Sequence, residues 1–493
     1  MSDRRIRTLL VDLNNYARFP TLAIGYLVAA LRREGIDVEV LSPLAYGLPA
    51  TEREHQETLR DQLVRRAYFA THPALISSHD ALRNARARRI GKPNPRVVQE
   101  TTRALEERKP DVLLLSAYLD HYPSIVTLAG VAAGHGVPVL LGGPMFNNEH
   151  VAREWLDIPG LTAVVGAEVD LSLPELVATA VDRGPLEQHE GVFLPDGRKG
   201  PPSRPLRELV KLPVPDFSDF PWDRYPHKII PVMAGRGCNW GRCLFCGDVQ
   251  TANGRTFRSR PLESVLAELE EQSARYGTRD VIFLDIKLNS DLELWRGLIE
   301  HFQRRLPDGQ WIGTVHVQRN GDNGLSRDDV VAARRSGWVR TTFGLETGSQ
   351  RVNDSMAKGT TIEGMSQFVR DASEAGVSVR TTAMLGYPGE EASDIVRTVG
   401  FLRDHERYLD RVRLSRFKAI PGTRFETFYR RRPERYKTMT GFRWNYRYAR
   451  ASYTYEEAKR RPYRKAKAEM LGFVYRINRK PLRAGAEVFD GLM

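Results

Sequence analysis

Short apolar runs alternate with helix-length amphipathic segments through most of the chain. In the first 180 residues, Thr8–Leu13, Asp37–Leu41, Asp111–Ser116, Val137–Leu141 and Ala163–Val165 read as strands, and Thr21–Glu34 has helical periodicity. Runs such as Val-Leu-Leu-Leu-Ser, apolar at nearly every position, belong to strands covered on both faces, hence to a parallel sheet with helices on each side. Five strands in this rhythm predict a doubly wound, flavodoxin-like or Rossmann-like α/β domain, whose ligands sit beyond the carboxyl ends of the strands. Those ends read Asn14-Asn15, Ser116-Ala117-Tyr118, Gly142-Gly143-Pro144 and Gly166-Ala167-Glu168. The glycines are expected to let a large ligand approach the backbone. No Gly-x-Gly-x-x-Gly follows the first strand, which argues against a nicotinamide or flavin dinucleotide.

A second series begins after residues 200–226, a proline-dense stretch that favours an extended path and reads as a linker. Strands are expected at Ile229–Ala234, Val281–Asp285, Ile312–Val317, Val339–Glu346, Val377–Met384 and Val412–Lys418. Helices are expected at Pro261–Arg275, Leu292–Arg305, Arg327–Ser336, Ile362–Glu374 and Glu391–Arg403. Six such repeats make a partial, TIM-like (βα)6 barrel with its chemistry at the strands' carboxyl ends. The polar residues there are Cys238, Asp285, His316, Glu346, the turn Gly386-Tyr387-Pro388-Gly389-Glu390, and Lys418. The expected domains are residues 1–199, with a polar, basic and helical insertion at about 45–96; 227–430; and a C-terminal segment, 431–493.

Charge sharpens the last boundary. The formal net charge is +13, and residues 429–483 alone hold 18 Lys/Arg against 4 Asp/Glu, so the rest is close to neutral. Eleven aromatics share that segment, Trp444 and Phe473 among them. Basic residues interleaved with aromatics suit nucleic acid, an anionic peptide or carrier, or a membrane surface. They equally suit a mainly helical cap whose rings pack inward while its cations face water. An apolar content of 41% is ordinary for a globular chain. No run approaches the ~18 apolar residues of a membrane span. The three-residue apolar run before Asp12 is too short for a secretory signal. A soluble, cytoplasmic protein is expected.

The three cysteines of the chain, Cys238, Cys243 and Cys246, fall within nine residues. An iron–sulfur cubane normally takes four Cys ligands, and a structural zinc ion takes four ligands in all. Three thiolates leave one metal position open for an exogenous ligand. A zinc knuckle completed by His227, His301 or Asp248 is the competing reading.

Several motifs then coincide: Cys-x-x-x-x-Cys-x-x-Cys with Phe245 before the last cysteine, Phe283-Leu-Asp285, the run from Phe343 to Val352, Lys358-Gly, and Leu385-Gly-Tyr-Pro-Gly-Glu390. In these the second domain resembles the radical SAM core, in its cobalamin-associated branch, where a cobalamin-binding domain precedes the barrel. Thr21 to Leu31, Gly142-Gly-Pro and Val165-Gly-Ala-Glu168 are similar to recurrent segments of that domain. The resemblance covers residues 5–430. It departs in the first cysteine gap, four residues instead of the commoner three, which Asn239 and Gly241 are expected to absorb. There is no Asp-x-His-x-x-Gly, as is usual in this branch, and His121 and His135 have other surroundings. Methylthiotransferases need further cysteines, and this chain has none.

What the resemblance implies is specific. Cys238, Cys243 and Cys246 would hold a [4Fe-4S] cluster whose fourth iron chelates S-adenosyl-L-methionine (SAM). Phe245 would lie near the adenine, with Glu346 and Arg380 as SAM contacts. Ser116, Tyr118, Gly142, Gly143, Gly166 and Glu168 would border cobalamin. The implied activity is C-methylation of an unactivated carbon through a 5′-deoxyadenosyl radical and methylcobalamin. The substrate would be a small molecule or peptide, the electron donor a flavodoxin or ferredoxin, and nucleic acid is not the expected partner. A cobalamin-dependent cyclisation or rearrangement without methyl transfer is the first alternative. A zinc-stabilised nucleic-acid-binding protein is the distant one.

Overall fold

The computed structural model describes residues 5–492 except 15, 17, 49, 51, 53, 73–91 and 252–255. Asn15, named above at a strand end, and residues 73–91 of the insertion lie outside the described residues. Six strands form the first sheet: β1 (Arg7–Asp12), β2 (Asp37–Leu41), β3 (Val112–Ser116), β4 (Val139–Gly142), β5 (Ala163–Val165) and β6 (Val192–Phe193). Their order is β2-β1-β3-β4-β5-β6, parallel except for β6, which pairs antiparallel with β5. The apolar runs sort by alternate residues into two cores. Leu9, Val11, Leu113, Leu115, Val139 and Leu141 face one layer of helices, and Leu10, Val112, Leu114, Leu140 and Val165 face the other. The added edge strand β6 is two residues long in a polar stretch, too short to leave a periodic signal.

The second sheet is wholly parallel, in the order β14-β13-β12-β11-β10-β7. In chain order come β7 (Ile230–Val232), the antiparallel ribbon β8 (Gly235–Arg236) with β9 (Arg258–Ser259), and β10 (Val281–Phe283). Then follow β11 (Trp311–Val315), β12 (Trp338–Glu346), β13 (Ser378–Leu385) and β14 (Arg411–Arg416). Helices Leu262–Tyr276, Leu292–Arg305, Arg327–Arg335, Ile362–Glu374 and Ala392–Asp404 cover its outer face.

The expected linker takes the extended path its prolines predict, but it is packed. Phe217, Phe220 and Tyr225 are buried beneath helix Leu22–Arg33, and Arg32 bonds Asp216 and Asp219, both at 2.7 Å. The C-terminal segment adds a hairpin, β15 (Met439–Asn445) with β16 (Arg450–Tyr455), to the helix expected of it, Arg461–Asn478. Gly441, Arg443 and Asn445 are exposed, and Phe442 and Trp444 between them are half-buried, the period-two pattern of a one-sided hairpin. Tyr455, Tyr463 and Phe473 are buried. The aromatics therefore cap the barrel. The hairpin tip also reaches the first domain, where Trp155 Nε1 donates to the Arg447 carbonyl at 2.9 Å and Ala449 joins the core.

The floor of the partial barrel is plugged. Phe19, from the loop after β1, and Phe489 and Leu492 pack on Ile229, Ile282, Ile312 and Val339. Glu54, in the insertion, pairs with Arg340 and with Arg380. Helix Leu59–Tyr68 of the insertion docks on helix Arg461–Asn478, with Glu57 N donating to Asn478 O at 3.0 Å.

Candidate functional site

Residues 237–247 form a loop off β8, over the carboxyl ends of the barrel strands, with all three cysteines half-buried. The long first gap is absorbed at Gly241, whose φ is +51°. Asn239 does not adopt a left-handed backbone. Its amide instead fastens the loop: Nδ2 donates to Ser290 O at 2.6 Å, and Oδ1 accepts from Lys287 Nζ at 2.7 Å. Asp285, just past the end of β10, accepts from the backbone N–H groups of Ala234 at 3.0 Å and Gly235 at 2.6 Å. Trp240 Nε1 donates to Ala357 O at 3.0 Å, and Leu244 N to Met356 O at 2.9 Å.

Burial raises the thiol pKa of Cys243 and Cys246, and at Cys243 the ammonium of Lys358 opposes it. Burial brings Lys287 down to about 8, while Cys238 and Cys243 pull it up. His316 stacks on Trp240, centroids 6.4 Å apart, and burial together with Lys358 and Lys287 holds it well below its ordinary value. Lys287 thus stands beside Cys238 and Cys243, and Lys358 beside Cys243, where an ammonium group favours the thiolate against the burial that opposes it; at Cys246, Asp248 and Cys243 add to the effect of burial. Among the described residues no three His, Cys, Asp or Glu side chains converge on one point, as a single tetrahedral ion requires.

Glu346 ends β12 with a φ of +60°, uncommon outside glycine, beside a register shift against β13. Its carboxylate accepts from Thr382 Oγ1 at 2.7 Å. A β-carbon on Gly344 would stand 2.6 Å from Glu346 Oε1 and 2.9 Å from Lys358 Nζ, so the two charges share the space above Gly344. Backbone strain of this kind, ~1–3 kcal/mol, persists where the surroundings impose it and clusters at functional sites. Phe245 is half-buried against the barrel core, beside Cys246. Lys418 is exposed past the end of β14.

The structure does not bring Arg380 to this rim. It lies near the start of β13, 3% exposed, with Nε 2.9 Å from Glu54. It is neither beside Glu346 nor in a surface pair; it belongs to the buried floor. Its partner sits more than 300 positions earlier, where no spacing rule looks.

On the first domain, Ser116 and Gly142 are register partners at the ends of β3 and β4. Tyr118 is 46% exposed, its hydroxyl 2.9 Å from that of Tyr16. Gly143 and Gly166 have a simpler reason than ligand approach: a β-carbon would fall 2.2 Å from Ala117 O and 2.0 Å from Phe146 O. Glu168 is committed elsewhere, to Arg258 at 2.6 Å and Leu206 N at 2.6 Å. The residues missed on sequence are Trp240 and Lys287, which lie beside the cysteines or after Asp285 and whose only signal was that proximity; Asn239 was expected to serve through its backbone and serves through its amide.

Comparison with known proteins defines the class. Residues 232–402 match the radical SAM superfamily, so the barrel is a radical SAM domain. The chain is 25% identical to an uncharacterized methyltransferase of Pyrococcus horikoshii over 336 residues, 66% of this chain and 70% of that one. Its fold is shared with the radical SAM methyltransferase TsrM of Kitasatospora setae, solved with cobalamin and a [4Fe-4S] cluster bound. The TM-score is 0.59 at 18% identity, over 86% of this chain and 77% of TsrM. It is shared too with OxsB, a cobalamin-dependent S-adenosylmethionine radical enzyme solved with aqua-cobalamin, at a TM-score of 0.66 and 14% identity. That match covers 92% of this chain and 64% of OxsB. No helix among the described residues is long and apolar enough to cross a membrane.

Proposed function

We propose that the chain is a cobalamin-dependent radical SAM enzyme that methylates an unactivated carbon of a small molecule or peptide. The observation that carries this reading is the placing of all three cysteines in one loop on a barrel rim that adjoins the strand ends of a doubly wound domain. The donor set fits an iron–sulfur cluster: three soft thiols in one loop, with Lys287 beside Cys238 and Cys243 and Lys358 beside Cys243 to offset their charge. Cys238, Cys243 and Cys246 would hold it. The edge formed by Ser116, Tyr118 and Gly142 would border the corrinoid. Bound there, the cluster supplies an electron to SAM and cobalamin supplies the methyl group.

The chain's own residues bind and shield. Glu346 is a charged acceptor for the SAM ammonium group, presented by a strained backbone. Lys358 offsets its charge, and Phe245 offers an apolar wall beside the cluster. Exposed Arg242, in the cysteine loop, with Arg431, Arg432 and Arg435, none with a carboxylate partner among the described residues, suits the docking of an acidic one-electron donor.

Transfer of isotope-labelled methyl from SAM to a product tests the reading. A product without the label, formed with consumption of SAM, would favour the cyclisation or rearrangement reading. Iron with labile sulfide in anaerobically purified protein would dismiss the zinc-module reading.

A further inference from the structure

The ribbon that carries the cysteine loop sends its two arginines into the first domain. Arg236 Nη1 and Nη2 donate to Asp170 Oδ2 and Oδ1, both at 2.8 Å, and the guanidinium lies 5.7 Å from the centre of the Tyr26 ring. Arg258, directly opposite Arg236 in the ribbon, donates to Glu168 at 2.6 and 3.0 Å and to Leu206 O at 2.7 Å. None of the four side chains is more than 12% exposed. Two planar forks on adjacent strands are therefore gripped by two carboxylates two residues apart. A bidentate arginine–carboxylate pair fixes direction as well as distance, which a lysine could not do. Buried ion pairs add little stability over a well-packed apolar contact, so their use here points to register. Glu168 and Asp170 follow Gly166 at the first domain's strand ends, and Arg236 stands two residues before Cys238.

We infer that Glu168 and Asp170 are positioning residues which, through Arg258 and Arg236, set the separation and orientation of the cysteine loop relative to the strand ends of the first domain. This rests on the proposed function, under which those two places hold the cluster and the corrinoid. Glu168 thereby has a role at the cobalamin-binding edge without touching cobalamin.

The test uses the full chain, reconstituted anaerobically with iron, sulfide and hydroxocobalamin and reduced so that the cluster and cob(II)alamin both carry unpaired spin. Asp170→Asn keeps the shape and removes the charge, and Glu168→Gln does the same at the second fork. Expected is unchanged iron and corrinoid content, with an altered magnetic interaction between the two spins by electron paramagnetic resonance. Amide exchange of residues 236–246 should also rise roughly tenfold, the mark of a local rather than a global opening. The charge-swapped double variant Asp170→Arg/Arg236→Asp should restore both readouts in part. Unchanged spin interaction and unchanged exchange in both folded variants would overturn the inference. So would loss of fold in both, since the carboxylates would then be plain structural supports. A wild-type chain that binds iron but no corrinoid would overturn the proposed function instead, and the exchange measurement, which needs no cofactor, would still decide this inference.

Discussion

Glu346 holds a left-handed backbone and a carboxylate at the barrel rim, while Arg380, on the next strand, is sealed in the floor. The two should separate cleanly on substitution. Glu346→Gln keeps the backbone demand and removes the charge, so SAM affinity by equilibrium dialysis should fall about tenfold with iron content unchanged, roughly the worth of one charge-assisted hydrogen bond. Arg380→Gln leaves Glu54 with one partner fewer in a buried setting, and should cost about 3–5 kcal/mol in chemical denaturation without changing SAM affinity of the folded protein. Unchanged stability in that variant would remove the plugged floor. Glu390 gives a pH test. Burial pushes its carboxyl up to about 7, against hydrogen bonds from Tyr463 and Gly386 N that favour the anion; Asp394 pushes it further up and Arg351 down. The folded state therefore holds a proton that the unfolded state has lost, so stability falls as pH rises from about 4.5 to about 7. Glu390→Gln should remove on the order of 3 kcal/mol of that fall, read as a flatter denaturation midpoint against pH. An unaltered slope would place the charge elsewhere.

At the scale of elements, every strand of both sheets but β6 was legible, most as an apolar run between turn residues, and their ends fall within a few residues of the reading; β6 is too short to leave a signal. The hairpin β15–β16 was hidden because its alternation runs through aromatic and basic residues that match no strand template. The cysteine loop was legible from spacing alone. The plug was not: Glu54, Arg340 and Arg380 are brought together by the closing of the barrel, and nothing local records it. Packing of the linker also changes where the first domain can be cut. A fragment ending near Gly200 would strip Phe217 and Phe220 from helix Leu22–Arg33, so it should fail to fold cooperatively. One ending at Pro226 should fold and bind cobalamin. A folded 1–200 fragment, by circular dichroism and thermal melting, would contradict this packing account. On the C-terminal helix, Phe473→Ala should cost about 3–5 kcal/mol, as for a buried aromatic. Loss of much less would return its aromatics to the solvent-facing reading.

For the whole molecule, two α/β units meet at one rim, where thiols, ammonium groups and a strained carboxylate stand beside the strand ends of the first domain, while Glu54 of the insertion closes the floor of the barrel. The claim that a redox cluster on one unit works beside a corrinoid on the other is tested most directly by electron paramagnetic resonance of the reduced, reconstituted full chain, wild type and Cys243→Ala side by side. The wild type should show a [4Fe-4S]+ signal that shifts on adding SAM, together with cob(II)alamin. The variant should lose the cluster signal and keep the cobalamin one. A cluster signal that survives in Cys243→Ala, or a wild type with neither signal, would contradict the account.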